Sequence, residues 1–144
     1  MLIREVRLLL PIMLLLSPAL AGGDEPAQAL ASAGEYQTPA MSVADLRGHE
    51  NGPDAPLVVD VRPSAEYKSG HIEGAVNMPY NKIDKHLQEL SEAKAVVLYC
   101  TLGHRTRVAE QVLLDGDVPN VYHLEGGLFA WQQAGYPIHT GWGP

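Results

Sequence analysis

Three short apolar runs recur along the chain: Leu57-Val-Val-Asp-Val61, Ala95-Val-Val-Leu-Tyr99 and Asn120-Val-Tyr-His-Leu124. Each is too short for a helix and rich in β-branched residues, as buried strands are. Between them the period changes. Asn81 to Leu90 sets Ile83, Leu87 and Leu90 at i, i+4 and i+7, one face of an amphipathic helix. Thr106 to Leu114 reads as a helix with Val108, Val112 and Leu113 inward, and Leu128 to Gln133 as another after Gly126-Gly127. Upstream, Ser42 caps a helical stretch reaching Leu46, Ser64 to Lys68 is a short helix ended by Gly70, and Ala75 to Met78 is a brief strand stopped by Pro79. Strands alternating with helices predict an α/β domain: a mostly parallel sheet with helices on both faces. Such sheets take ligands at the carboxyl ends of their strands. Two of those ends carry chemistry, Asp60-Val61-Arg62 and Tyr99-Cys100.

At 144 residues the chain suits one domain, expected over residues 36–140. Its first 21 residues read as a signal peptide. Arg4 and Arg7 precede an apolar stretch from Leu8, and Ala19-x-Ala21 resembles a signal-peptidase site. The uncharged stretch from Leu8 to Ala21 holds Pro11 and Pro18 and falls short of the ~20 residues that span a bilayer. The competing reading is an uncleaved anchor or an interfacial helix. Cleavage predicts a periplasmic or secreted protein with no stable membrane insertion. Residues 22–35, rich in Gly, Ala and acids, read as a flexible leader. The net charge of −7 argues against a nucleic-acid partner, because neutralising phosphates needs a basic face. One cysteine excludes an internal disulfide framework and a thiolate zinc cluster, and the histidines show no spacing typical of metal ligands, so no metal is expected.

That cysteine begins the loop Cys100-Thr101-Leu102-Gly103-His104-Arg105-Thr106, between a strand and a helix. In such a loop the backbone N–H groups and the helix N-terminus converge on one anionic point, and Gly103 lets it curl tightly. Arg105 and Arg107 add positive charge. A thiol held there has its pKa drawn below the free value of ~8.5. The same position also suits an inert, buried cysteine at a strand end. Agreement among strand end, glycine loop, helix start and flanking arginines favours the reactive thiol.

Here the sequence resembles the single-domain rhodaneses, which are sulfurtransferases. The segments that carry the resemblance are Val59-Asp60-Val61-Arg62 with Glu66-Tyr67, Gly70-His71-Ile72-Glu73-Gly74-Ala75-Val76-Asn77-Met78-Pro79, Tyr99-Cys100 through Arg105-Thr106, and Leu124-Glu125-Gly126-Gly127 with Trp131, Gly135, Tyr136 and Pro137. They stand in order between Met41 and Pro137. The resemblance implies a five-stranded, mostly parallel sheet and a cycle through a Cys100 persulfide. A sulfane donor such as thiosulfate would load Cys100, and cyanide, a thiol or a partner protein would take the sulfur away. Thr101 to Thr106 would bind the transferred sulfur through backbone N–H groups, with Arg105 neutralising donor charge. No cofactor is implied.

Thr101 departs from the thiosulfate-using members, which place a basic residue directly after the cysteine. Cysteine-dependent phosphatases close a loop one residue longer than Thr101 to His104, so oxyanion chemistry of that kind is not expected. Asp60 and Arg62 read as supporting residues, with Arg62 expected to pair with Glu66 and fix the turn. His71 reads as packing, and Trp131 and Tyr136 as core and rim. His104 either touches the substrate or faces solvent. A second class of function also fits a lone exported thiol: a non-turnover sulfur carrier or a redox-sensing domain, fed by a partner protein. A third is an inactive interaction module, whose Cys100 would show ordinary thiol reactivity.

Overall fold

The computed structural model describes residues 35–144. The expected signal peptide and the leader up to residue 34 lie outside the described residues. Five strands form the main sheet: β1 (Ala40–Met41), β2 (Leu57–Asp60), β4 (Val76–Asn77), β5 (Val96–Tyr99) and β6 (Val121–Leu124). Their spatial order is β1-β6-β5-β2-β4, and every pairing is parallel. The three strands legible as apolar runs are the three central ones. Side-chain alternation splits them between two cores. Val59, Val96, Leu98 and Val121 face one side with Ile83, Leu90, Ala109 and Leu113. Val58, Val97, Tyr99 and Leu124 face the other with Leu46, Leu128 and Trp131. Helices therefore cover both faces: α3 (Leu87–Glu92) and α4 (His104–Asp115) on the first, α1 (Val43–His49) and α5 (Gly127–Gln133) on the second.

Local chemistry explains the ends of these elements. The Ser42 hydroxyl accepts the Asp45 N–H at 3.0 Å and caps α1. The helix α2 (Ser64–Ser69) stops at Gly70. The amphipathic stretch from Asn81 is not one helix, because Lys82 N–H donates to Pro79 O and Lys85 N–H to Lys82 O. These tight turns wind a 3₁₀ segment over Ile83–His86 before α3 begins, and Ile83 and Leu90 still reach the core.

The helix after the cysteine corrects the expected phase. α4 buries Thr106, Ala109, Glu110 and Leu113, while Val108 is 43% exposed. Small Ala109 lets the helix lie close to the sheet, and Glu110 is drawn inward by backbone N–H groups of Gln37 and Thr38. The inner stripe is thus 106, 109, 110 and 113, with Val112 at its margin.

Two pairings were beyond the periodicity of the sequence. β1 pairs Ala40 with His123 at the sheet edge. A second small sheet pairs β3 (His71–Ile72) antiparallel with β7 (Ile138–His139). Past β7 the chain returns over α2, where Gly141 N–H donates to Lys68 O at 2.9 Å and Trp142 covers the Lys68 ammonium.

Candidate active site

Cys100 follows directly on β5 and is 2% exposed. The chain then turns sharply at Gly103, whose φ of +120° suits glycine alone, and enters α4. Gly103 N–H donates to Cys100 Sγ at 2.9 Å. The Thr106 hydroxyl is buried with no hydrogen-bond partner and helps to draw the Cys100 thiol down. Burial by itself pushes the Cys100 thiol up. The neighbouring Thr106 hydroxyl and the backbone N–H groups of Thr106, Gly103 and Arg105 outweigh it and leave the thiol below its ordinary value. Gly103 thus makes the hydrogen bond to the sulfur, and Arg105 and Thr106 lower its pKa from beside it.

The other side of the loop is fastened by α5. Leu128 N–H donates to Cys100 O at 2.9 Å and Phe129 N–H to Thr101 O at 3.1 Å. A Cβ on Gly127 would stand 2.5 Å from Cys100 O and 2.8 Å from Thr101 O, so only glycine permits this approach. That Gly126-Gly127 closes on the cysteine loop was not legible in the sequence.

The remaining loop residues have unequal parts. Leu102 is 70% exposed and His104 is exposed, so His104 faces solvent. Thr101 Oγ1 accepts a bond from Arg105 at 3.3 Å. Arg105 itself is held by Glu66 in a forked pair, at 2.6 and 3.0 Å. That pairing keeps Arg105 cationic and draws the Glu66 carboxyl below the usual range.

The expected Arg62–Glu66 pair is therefore corrected. Arg62 turns back on Asp60, with Nη2 2.6 Å and Nε 3.1 Å from Oδ2, and gives a further bond to Gly70 O at 2.7 Å. Asp60 Oδ1 also accepts Arg62 N–H at 2.9 Å. The strand-end geometry puts Asp60 beside its own neighbour two residues on, and Glu66 is left for the loop. Asn77 Nδ2 bridges Asp60 O and Arg62 O and ties this turn to β4. His71 is fully buried, stacks on Tyr67 at 3.6 Å, and sets its ring nitrogens 2.8 and 2.9 Å from Tyr67 O and Gly143 O. It packs and does not face the cysteine loop through any of these contacts. Trp131 is core, with its indole N–H on Pro137 O and Tyr136 edge-on at 4.9 Å.

The rhodanese-like domain family matches residues 42–134, which include every loop residue described above. The chain belongs to the rhodanese-like family. An uncharacterized protein of Synechocystis is 40% identical to this rhodanese-like chain over 84 residues, 58% of this chain and 47% of that protein. A sulfurtransferase of Allochromatium vinosum is 35% identical over 82 residues, 57% of this chain and 77% of the relative. The crystal structure of a thiosulfate sulfurtransferase from Pseudomonas aeruginosa superposes with a TM-score of 0.66 at 27% identity. It covers 74% of this chain and 20% of that one. The rhodanese-like chain therefore spans about half of the Synechocystis relative and a fifth of the Pseudomonas protein.

Proposed function

We propose that this protein is an exported sulfurtransferase that moves sulfane sulfur through a persulfide on Cys100. The observation that carries the reading is a buried strand-end sulfur that accepts the Gly103 N–H at 2.9 Å, beside an unpartnered Thr106 hydroxyl, with its thiol drawn below the ordinary value. In the first half-reaction the Cys100 thiolate attacks the outer sulfur of the donor. With thiosulfate, the S–S bond breaks and sulfite leaves with the electron pair. In the second, an acceptor such as cyanide or a thiol attacks the outer sulfur and Cys100 departs as thiolate. The backbone donors that stabilise a thiolate also stabilise a persulfide anion, so the sulfur-loaded and free states are held alike. Relatives in the same family, including the Allochromatium sulfurtransferase, support sulfur transfer in general.

Intact mass spectrometry tests the cycle. The purified protein should gain one sulfur from thiosulfate or an organic persulfide and lose it to cyanide, and Cys100→Ser should do neither. No gain from either donor would overturn the reading. Export is tested by fusing residues 1–21 to a reporter that works only outside the cytoplasm.

A second reading, a sulfur carrier loaded by a partner protein, is favoured by the Arg105–Glu66 pair. With its charge met by Glu66, Arg105 offers little to a dianionic small donor. Loading by a protein persulfide together with negligible turnover of thiosulfate would select it.

A further inference from the structure

Tyr36, Gln37 and Thr38 precede β1, and nothing in the cycle above uses them. They are nonetheless stitched down firmly. The Gln37 and Thr38 N–H groups both donate to Glu110 Oε1, on the buried face of α4. Thr38 Oγ1 lies 3.2 Å from His123 Nδ1, and the Gln37 amide donates to Gln111 at 2.7 Å. The Tyr36 ring stacks on His123 at 3.5 Å with the planes 5° apart, and the Arg107 guanidinium lies 5.5 Å from its centroid. A ring held this way has little freedom to move.

Its hydroxyl ends against the cysteine loop. A Cβ on Gly103 would stand 2.0 Å from the Tyr36 hydroxyl oxygen, so this oxygen occupies the space a side chain at Gly103 would need. Gly103 is the residue whose N–H meets Cys100 Sγ. Glycine leaves a positive φ more freely than any other residue, and Gly103 has no side chain by which to be held. Its carbonyl accepts the Arg107 N–H in the first turn of α4 at 3.1 Å, and the Tyr36 hydroxyl meets it from outside the loop.

We propose that Tyr36 is a positioning residue for Cys100: its hydroxyl braces Gly103 so that the Gly103 N–H stays aimed at the sulfur. The inference rests on the reading of Cys100 as the reactive thiol. The groups facing Tyr36 suit the role. Burial, the Cys100 charge and Glu110 together raise the phenol's pKa, against an opposing effect of Arg107, so the brace stays neutral when the thiolate forms. His123, pushed down by burial, stacks on it as a neutral ring near neutral pH.

The test is the pH dependence of Cys100 alkylation by iodoacetamide in the purified protein, with Tyr36→Ala and Tyr36→Phe beside it. A merely structural role would lower the unfolding midpoint and leave the alkylation profile of the folded protein where it was. A brace predicts that the Tyr36→Ala profile moves to higher pH and that its rate at pH 6.5 falls about fivefold. Tyr36→Phe, which keeps the stacked ring and loses only the hydroxyl, should move in the same direction by less. Profiles of both variants that coincide with the wild type would overturn the inference. If Tyr36→Ala does not fold, Tyr36→Phe decides alone by the same criterion. A wild-type profile centred near the free-thiol value of ~8.5 would instead overturn the reactive-thiol reading on which the inference stands.

Discussion

Two neighbouring strands of one sheet end in charged turns and use them in opposite ways. After β2, Asp60 and Arg62 close on each other, and Arg62 Nη2 gives a further bond to Gly70 O. Both are buried, and their main hydrogen bonds are internal to the turn. After β5, the Gly103 N–H meets a single sulfur atom, and the Thr106 hydroxyl beside it has no hydrogen-bond partner. The first end is closed on itself and works as an anchor. The second is unsaturated and can take up an additional anionic atom. Position at the carboxyl edge of a parallel sheet makes a site available; unfilled donors turn it into one.

The sharpest break in this contrast is to remove the sulfur at the β5 end. Cys100→Ser is expected to lower sulfur transfer on the order of a thousandfold or more, read by sulfite release, with an unchanged circular dichroism spectrum. At the β2 end the same severity should appear as lost stability. Asp60→Ala leaves the Arg62 guanidinium buried and unpaired and should cost about 3–5 kcal/mol in urea unfolding. A loss under about 1 kcal/mol would show that the turn is not an anchor.

Thr106→Val sharpens the comparison by removing one donor and no volume. The wild-type thiol, already below its ordinary value, should alkylate well at neutral pH, its rate rising as pH climbs through the folded pKa. In the variant that rise should shift upward by about one pH unit. Stability at acid pH should hold, because the hydroxyl leaves no oxygen or nitrogen partner behind. An unshifted profile would remove Thr106 from the site.

The smallest effect is expected from Glu66→Gln, which frees Arg105. Thiosulfate kcat/KM should rise about threefold, while stability changes by less than about 1 kcal/mol, as for exposed ion pairs. The Glu66 carboxyl is depressed on folding, so its contribution is present above the usual carboxylate range and fades only as pH falls through the lowered value. Unfolding midpoints of wild type and variant should therefore converge in acid. A fall in thiosulfate turnover would mean that Glu66 positions Arg105 for the donor.

The sequence made the three central strands and the cysteine loop legible because burial on both faces leaves unbroken β-branched runs, and because Gly103 and Arg105 mark the turn. Partner choice was another matter. Arg62 and Glu66 are spaced as a helix pair, yet the strand end gives Arg62 to Asp60, and Glu66 goes to an arginine 39 positions on. Val108 misled because apolar character alone assigned the inner face of α4. A buried Glu110, satisfied by backbone groups from Gln37 and Thr38, sets the actual rotation. β1 and β7 have two residues each, too few to show a period. Tyr36 carried no signal at all, since its importance depends on where Gly103 comes to lie.

The edge position of β1 also bears on the order of folding. Thr38 and His123 touch across 85 positions of sequence, so nearly the whole domain must be traversed before this contact closes its loop. The central pairs β2–β5 and β5–β6 join segments much nearer in sequence. Pulse-labelled hydrogen exchange should find the Val97 amide protected well before that of Thr38, and simultaneous protection would contradict this sequence of events. The first strand of the domain would then settle last, and a newly made chain would hold an unbraced cysteine until β1 is in place.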